Sequence, residues 1–420
     1  MKKALALATA LCLLTLGFAG CGEKKESGQS GADGDVIKIG VFEPATGQNA
    51  AGGKQEVLGI RYANTKVPTV TVGGKEYKIK LVEADNQSDN AKGVTAAQSL
   101  VSAGVAGVLG SYGSGVSIAA APTFGDAKIP AIGCSCTNPA VTEGNEYYFR
   151  VCFLDPFQGT VMANFAKEKG CKKAAVITEL GDDYSLGLST FFKQAFEKMG
   201  GKTVKYEFQT GETNFGTILS TAKSENVDVI FAPSSIQTAP LIIKQAREKG
   251  ITCPIMAGDT WENQSIIENS AGMATDVFIS TFFDENDTSN SVAGDFVKGF
   301  KEYLNSNSKA LTENGGNDGV AAVSALGYDA YMVMIEAIKK ADSVKPEDIK
   351  NAISGVTCDG VTGAISFDEN GDAKKDMAYI KTMTDKGFEF IKTQTVKKFY
   401  KIILLMKSGG ASAAFWVWCG

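Results

Sequence analysis

From Val36 onward, short runs rich in Val and Ile alternate with segments long enough to be helices. The strand candidates are "VIKIGVF" (36–42), "YKIKLVEA" (77–84), "VAGVLGS" (105–111), "KIPAIG" (128–133), "YYFRVC" (147–152), "AAVITEL" (174–180), "TVKYEFQ" (203–209), "VDVIFAP" (227–233), "CPIMAG" (253–258) and "DVFISTFF" (276–283). Between most of them lie segments such as "NAKGVTAAQSLVSAG" and "SLGLSTFFKQAFEKMG", the second ending in glycines that suit a helix C-terminus. A strand followed by a helix, repeated along the chain, predicts parallel sheets with helices on both faces. So many strands would overload one twisted sheet, and the pattern predicts an α/β protein of two doubly wound parallel-sheet lobes. Near 284 the pattern changes to long helical stretches at 291–306 and 319–341 and a third helix near 346–354. Beyond them, "AISFDENGDAKKDMAYIKTM" reads as strand, Asn-Gly turn, strand, and "DENGD" lacks the ligand spacing of a calcium loop.

The two ends of the chain read differently. "MKKALALATALCLLTLGFAGC" has two lysines, an apolar run and small residues before Cys21, the order of an export signal over residues 1–20. "GFAGC" resembles a bacterial lipobox, with Phe18 in place of the usual leucine, which makes Cys21 the expected lipid-bearing mature N-terminus; an ordinary signal peptide is the alternative. Residues 21–35 are rich in Gly, Ser and charge and predict a flexible tether to the outer face of the cytoplasmic membrane, or to the periplasmic side of a membrane. The atypical tail, 397–420, carries two apolar clusters split by Lys407, Ser408 and two glycines, each too short for the roughly twenty apolar residues that span a bilayer.

Composition narrows the chemistry. The chain has 420 residues, 44% of them hydrophobic and 21% charged, with a net charge of -5, which suits two soluble lobes and argues against nucleic acid as a partner. There is no histidine, so the commonest general base, zinc ligand and triad member is missing. Nine cysteines are irregularly spaced with no C-x-x-C, and the single Cys134-x-Cys136 pair fits neither a zinc ribbon nor a redox pair. After removal of the signal and lipidation of Cys21, an odd number of thiols remains, so at least one is unpaired in a monomer. No metal or cofactor is expected, and without a base neither Cys134 nor Cys136 makes a catalytic site.

In open parallel sheets, ligands sit beyond the carboxyl ends of strands. "VAGVLG" feeds "SYGSGVSIAAAPTF", where Tyr112 precedes Ser114, placed to cap a helix among backbone N–H groups. "KIPAIG" feeds "CSCTNPAVT", with Thr137 or Asn138 at the cap and Pro139 in the first helical turn. These two strands follow one another, so both hydroxyl-bearing loops can converge on one carboxylate. From the second lobe, "ELGDDYSLGL" offers Tyr184, and "MAGDTWEN" offers Asp259 for an ammonium group and Trp261 as an apolar wall. Plain helix capping is the competing reading for each Ser, Thr and Asp.

"IGVFEPATGQNAAGGKQEVLGIRYA", "ADNQSD", "GSYGSGVSIAAAP", "IPAIGCSCTNPAVT", "YYFRVCFLDPFQGTVMANFA", "DDYSLGL", "ALGYDA" and "ISFDENGDA", in this order, resemble the leucine/isoleucine/valine-binding family of type I periplasmic binding proteins that serve ABC transporters. The resemblance runs from about Asp35 to Thr395. It implies a hinged, Venus-flytrap pair of lobes joined by three crossovers near 153, 284 and 362: an N-terminal lobe of 36–153 and 284–362, and a C-terminal lobe of 154–283 and 363–396. It further implies that Ser114 and Thr137 hold an α-carboxylate and that the carbonyl of Ser135 or Cys136 takes the α-ammonium. Asp259 would complete the ammonium site and Tyr184 would close over the ligand, while Tyr112, Phe157, Trp261 and residues 48–53 size its side chain. Cys136 stands where the family usually has a small residue such as Ala, Asp259 where some members carry Glu, and Ser235 or Ile236 where members carry Tyr. The expected function is capture of an amino acid, branched-chain or otherwise apolar, by a monomer that closes around it and delivers it to a membrane permease. A binding module that reports ligand to a membrane receptor, or one for a related small amide or zwitterion, is the alternative.

Overall fold

The computed structural model describes residues 31–287 and 291–396. Cys21, the export signal, most of the tether and the 397–420 tail lie outside the described residues. The first part of the chain forms β1 (Ala32–Asp33), β2 (Val36–Glu43), α1 (Ala50–Lys66), β3 (Thr69–Val72), β4 (Lys75–Asp85), α2 (Asn90–Ser102), β5 (Gly107–Leu109), α3 (Ser114–Asp126), β6 (Ala131–Gly133) and β7 (Tyr148–Arg150). The second comprises α4 (Asp155–Glu168), β8 (Lys173–Leu180), α5 (Asp183–Lys198), β9 (Lys202–Gln209), α6 (Gly216–Ser224), β10 (Val229–Phe231), α7 (Ala239–Glu248), β11 (Ile255–Ala257), α8 (Gln264–Asn269) and β12 (Val277–Thr281). Then come α9 (Ser291–Ser306), α10 (Ser308–Glu313), α11 (Ala322–Ala341), α12 (Pro346–Ile353), β13 (Cys358–Gly360), β14 (Gly363–Ile365), β15 (Met377–Thr384) and β16 (Gly387–Thr395).

The strands make two large sheets. One runs β3-β4-β2-β5-β6-β7, with β1 beside β2, and the other β16-β15-β12-β11-β10-β8-β9. The centre of each is parallel, and antiparallel pairs sit at the margins, β3 on β4 in the first and β15 and β16 beyond β12 in the second. All ten strand candidates are strands; β1, β3, β13 and β16, short or at a sheet margin, have no counterpart among them. The central strands read as near-continuous apolar runs because helices cover both faces, as in "VIF" of β10 and "VFIST" of β12, buried throughout.

The Asn-Gly segment differs from the expected hairpin. Only the isolated bridge Phe367–Ala373 closes around Asn370 and Gly371, whose φ of +85° suits the turn. Its flanking strands belong to different sheets: β14 pairs with β13, and β15 pairs with β12 and β16. The physical reason is that the chain passes between lobes here, so the third crossover spans the stretch between Ile365 and Met377. The other two lie between β7 and α4 and between β12 and α9.

After the second crossover the chain returns to the first lobe, where α11 lies on α1. The approach depends on small residues: a Cβ on Gly59 would fall 1.9 Å from the Ser324 carbonyl oxygen, and Ser324 Oγ donates to the Gln55 carbonyl at 2.8 Å. This fixes α1, which carries Glu56 and residues 50–53 at the cleft. No described helix is long and apolar enough to cross a membrane.

Candidate ligand-binding site

The loops after β5 and β6 are neighbours because their strands pair in parallel. Ser114 does not cap α3: Gly113 is the N-cap, with an extended backbone that needs no side chain, and Ser114 is the first helical residue. Its Oγ instead accepts from Asn138 N at 3.2 Å and ties the two loops together. Asn138 caps a single 3-10 turn, Pro139–Val141, by accepting from Ala140 N, so the expected helix after Thr137 is one turn long.

This second loop is organised by a residue the sequence reading overlooked. Arg150, fully buried at the end of β7, donates from Nη1 to the carbonyls of Cys136 (2.7 Å) and Asn138 (2.6 Å), from Nη2 to Pro139 O and Thr142 Oγ1, and pairs through Nε with Asp372 at 2.5 Å. The guanidinium fork thereby satisfies a set of buried carbonyls and turns that of Cys136 into the lobe. Ser135 Oγ donates to Glu56 Oε1, and the buried Thr137 hydroxyl lies beside the Asp155 carboxylate. Thr137 O accepts from Asp155 N at 3.0 Å, at the first crossover.

Across the cleft, Asp182 caps α5 by accepting from Tyr184 N, which sends Tyr184 inward; its hydroxyl donates to Asp259 Oδ1 at 3.2 Å. Gln158 Nε2 donates to the same oxygen at 2.8 Å. Asp259 opens a 3-10 turn, Asp259–Trp261, after β11. Trp261 is fully buried with Nε1 donating to Ser234 O at 3.2 Å, so it braces the turn from behind within the second lobe. Glu262, next in the chain, pairs with buried Lys381 at 2.6 Å.

The lobes are closed on each other. Tyr112 Oη donates to Thr260 O (3.1 Å), Asn138 Nδ2 to Asp183 O (2.7 Å), Ile236 N to Asn49 Oδ1 (3.0 Å) and Asn263 Nδ2 to Gln55 Oε1 (3.0 Å). A cavity of about 70 Å³ lies between them beside Ser114, lined by Asn49, Asn86, Gly113 and Gly115 on one side and Glu179 and Ser235 on the other. A larger one, about 250 Å³, lies among the crossovers against Val151, Phe153, Phe282 and Lys375.

Electrostatically the closed cleft holds an excess of acid. Glu43, Glu56, Asp155 and Asp259 are buried, and none forms an ion pair with a Lys or Arg among the described residues. Burial pushes Asp259 up to about 7, against the donors Gln158 and Tyr184, and pushes Asp155 up to about 8, with the Thr137 hydroxyl the main opposing influence. Burial likewise raises Glu56 to about 7. The thiols follow the same rule: burial lifts Cys136 to about 11 and Cys134 well above the ordinary thiol range, so neither is an activated nucleophile. Groups with raised acid constants bind protons on folding, so between about pH 5 and pH 8 the ligand-free protein is expected to lose stability steadily as pH rises through these values. Thermal melts across that window check this; a rising profile contradicts it.

Residues 36–387 match the family model described as "Periplasmic binding protein". The chain belongs to the periplasmic binding protein family. A Leu/Ile/Val-binding protein homolog of Brucella melitensis is 28% identical over 360 residues, 84% of this chain and 91% of that one. Among solved structures, a leucine binding protein from Thermotoga maritima is 35% identical with a TM-score of 0.79 over 85% of this chain and 98% of its own. A branched-chain amino acid transporter substrate binding protein from Streptococcus pneumoniae, solved with isoleucine, is 28% identical with a TM-score of 0.76 over 86% and 99%.

In this periplasmic binding protein Tyr112, Ser114, Ser135 and Thr137 stand on one lobe and Tyr184 and Asp259 on the other, with Trp261 behind; Cys136 does not join them, because its thiol packs in the first-lobe core and Arg150 takes its carbonyl. The sequence reading overlooked Glu43, Glu56, Arg150, Asp155 and Gln158. The signal was available for two of them: Arg150 interrupts the apolar run "YYFRVC", and Asp155 starts a helix directly after the apolar "VCFL". A charge inside a buried strand needs buried partners.

Proposed function

We propose that the protein captures an amino acid between its lobes and hands it to an ABC transporter permease. The observation that carries this reading is Asp259: a buried carboxylate without a cation, held by Tyr184 and Gln158 across from the hydroxyl and N–H groups of the Ser114 and Thr137 loops. An α-ammonium supplies the missing positive charge, and the α-carboxylate takes the helix-start N–H groups and hydroxyls of the opposite lobe. Closure places both halves of the zwitterion site in register, so the ligand selects the closed form.

The names of the relatives support an apolar, branched-chain ligand. Cys21 anchors the mature chain to the membrane surface through a lipid, with the residues before β1 as a tether shorter than the expected 21–35, since Ala32–Asp33 joins the first sheet, and the chain working as a monomer. A thermal-shift screen of the twenty amino acids and small amides tests the assignment, since a ligand at a hundred times its Kd stabilises by about 2.7 kcal/mol. An apolar amino acid is expected to give the largest shift; a shift from amides alone would refute the reading. Deleting the gene is expected to lower uptake of that amino acid when it is scarce, and unchanged uptake would instead support a receptor-reporting role.

A further inference from the structure

Beneath the two ligand loops of the first lobe, Glu43 and Glu56 meet in an arrangement that the zwitterion site does not use. Glu43 ends β2 and accepts from Tyr112 N at 2.7 Å through Oε2; Glu56, on α1, accepts from Ser135 Oγ through Oε1. Each carboxyl thus props one ligand loop from below. Their other oxygens, Glu43 Oε1 and Glu56 Oε2, are buried and have no donor. Carboxyl oxygens of both residues and Cys134 Sγ lie within 4.8 Å of one another. Two carboxylates side by side in the interior, each with one oxygen lacking a donor and neither facing a cation, repel each other and leave acceptors unsatisfied. One proton between them removes both costs, because it turns one acid into a donor for the other.

We propose that Glu43 and Glu56 are a proton-sharing pair that positions Tyr112 and Ser135 for ligand, so that the shape of the first-lobe half of the site depends on one buried proton. The groups facing the pair are consistent with its retention at neutral pH. Cys134, Cys136 and Tyr148 of the same lobe are neutral when protonated and supply no positive charge, and Asp259 of the second lobe adds a negative one on closure. Burial is the main cause that raises both acids, with Glu56 at about 7 and Glu43 also well above its usual range. The pair therefore holds at least one proton near neutrality, and losing it to solvent at alkaline pH leaves two adjacent anions under the loops.

The role assigned to ligand positioning rests on the amino-acid reading above, whereas the shared proton itself does not, and the test separates the two. Glu43→Gln keeps an acceptor for Tyr112 N and supplies a permanent N–H donor to Glu56, imitating the shared proton without being able to lose it. Glu43→Ala removes the prop and leaves Glu56 as a lone acid. In ligand-free melts between pH 5 and pH 9, Glu43→Gln is expected to show a visibly shallower loss of Tm with rising pH than the wild type. An unchanged slope would overturn the shared proton whether or not any amino acid binds. With the amino acid found by the screen, at pH 7, Glu43→Gln is expected to bind within about threefold of the wild type and Glu43→Ala at least tenfold more weakly. Equal losses in the two variants would overturn the positioning role. Elemental analysis of the purified protein showing one metal ion per chain that Glu43→Ala abolishes would also overturn the proposal, because a cation would then neutralise the pair in place of the proton.

Discussion

Asp259→Ala is expected to weaken amino-acid binding more than tenfold, because it strips the counter-ion from an ammonium group that closure shuts away from water. Truncating one partner of a buried charged pair costs about 2–5 kcal/mol, and each 1.4 kcal/mol is roughly tenfold in affinity. Asp259→Asn separates charge from shape, since the amide keeps the contact with Tyr184 and Gln158. The raised acidity constant gives a second signature. With Asp259 near 7 in the empty cleft, a ligand that needs its anion must displace a proton at lower pH. Wild-type affinity should therefore fall as pH drops below about 7, by up to tenfold per unit, and Asp259→Asn should lose that dependence. Isothermal titration at several pH values reads both effects, and wild-type affinity in Asp259→Ala would contradict the assignment.

Lys381→Met is expected to be the most destabilising of the substitutions considered. Lys381 is buried on β15 and its ammonium sits 2.6 Å from Glu262 and 3.1 Å from Asp284, both also buried. Burial works against its charge, but the two carboxylates outweigh burial and hold it above the ordinary lysine range. Removing it leaves two anions together in the interior, which costs about 3–5 kcal/mol. The network joins the Asp259 turn, through Glu262, to the second crossover, through Asp284, so the damage reaches both segments. Adding Glu262→Gln and Asp284→Asn to Lys381→Met should recover a large part of the loss, as a neutral interior no longer carries unpaired charge. Chemical denaturation of the single and triple variants measures this, and a single variant within about 1 kcal/mol of the wild type would show that water reaches the site.

The alternating pattern made the two-lobed fold legible, since fully buried parallel strands such as β10 and β12 announce themselves as apolar runs. It missed β3 because "TVTV" is only four residues long, and β16 because most of its side chains at the sheet margin face solvent. It misread 364–383 as one hairpin because nothing local distinguishes a turn within a sheet from one that carries the chain between lobes. The hydroxyls of the two first-lobe loops could be picked out because strand-to-helix junctions are visible in sequence. The groups holding them were hidden: Arg150 reaches Asp372 across 222 residues and Ser135 reaches Glu56 across 79. Long-range pairing of buried charge is written in the fold, and an isolated Arg or Glu inside an apolar stretch is its only local trace.

The central claim is that the cleft recognises a zwitterion through Asp259 on one lobe and the Ser114 and Thr137 loops on the other. Titrating the protein calorimetrically with leucine and with 4-methylpentanoate, the same molecule without its amine, tests it most directly. The account predicts that leucine binds and that the acid lacking the amine binds at least tenfold more weakly or not at all. Equal affinity for the two, or preference for the amine-free acid, would contradict it.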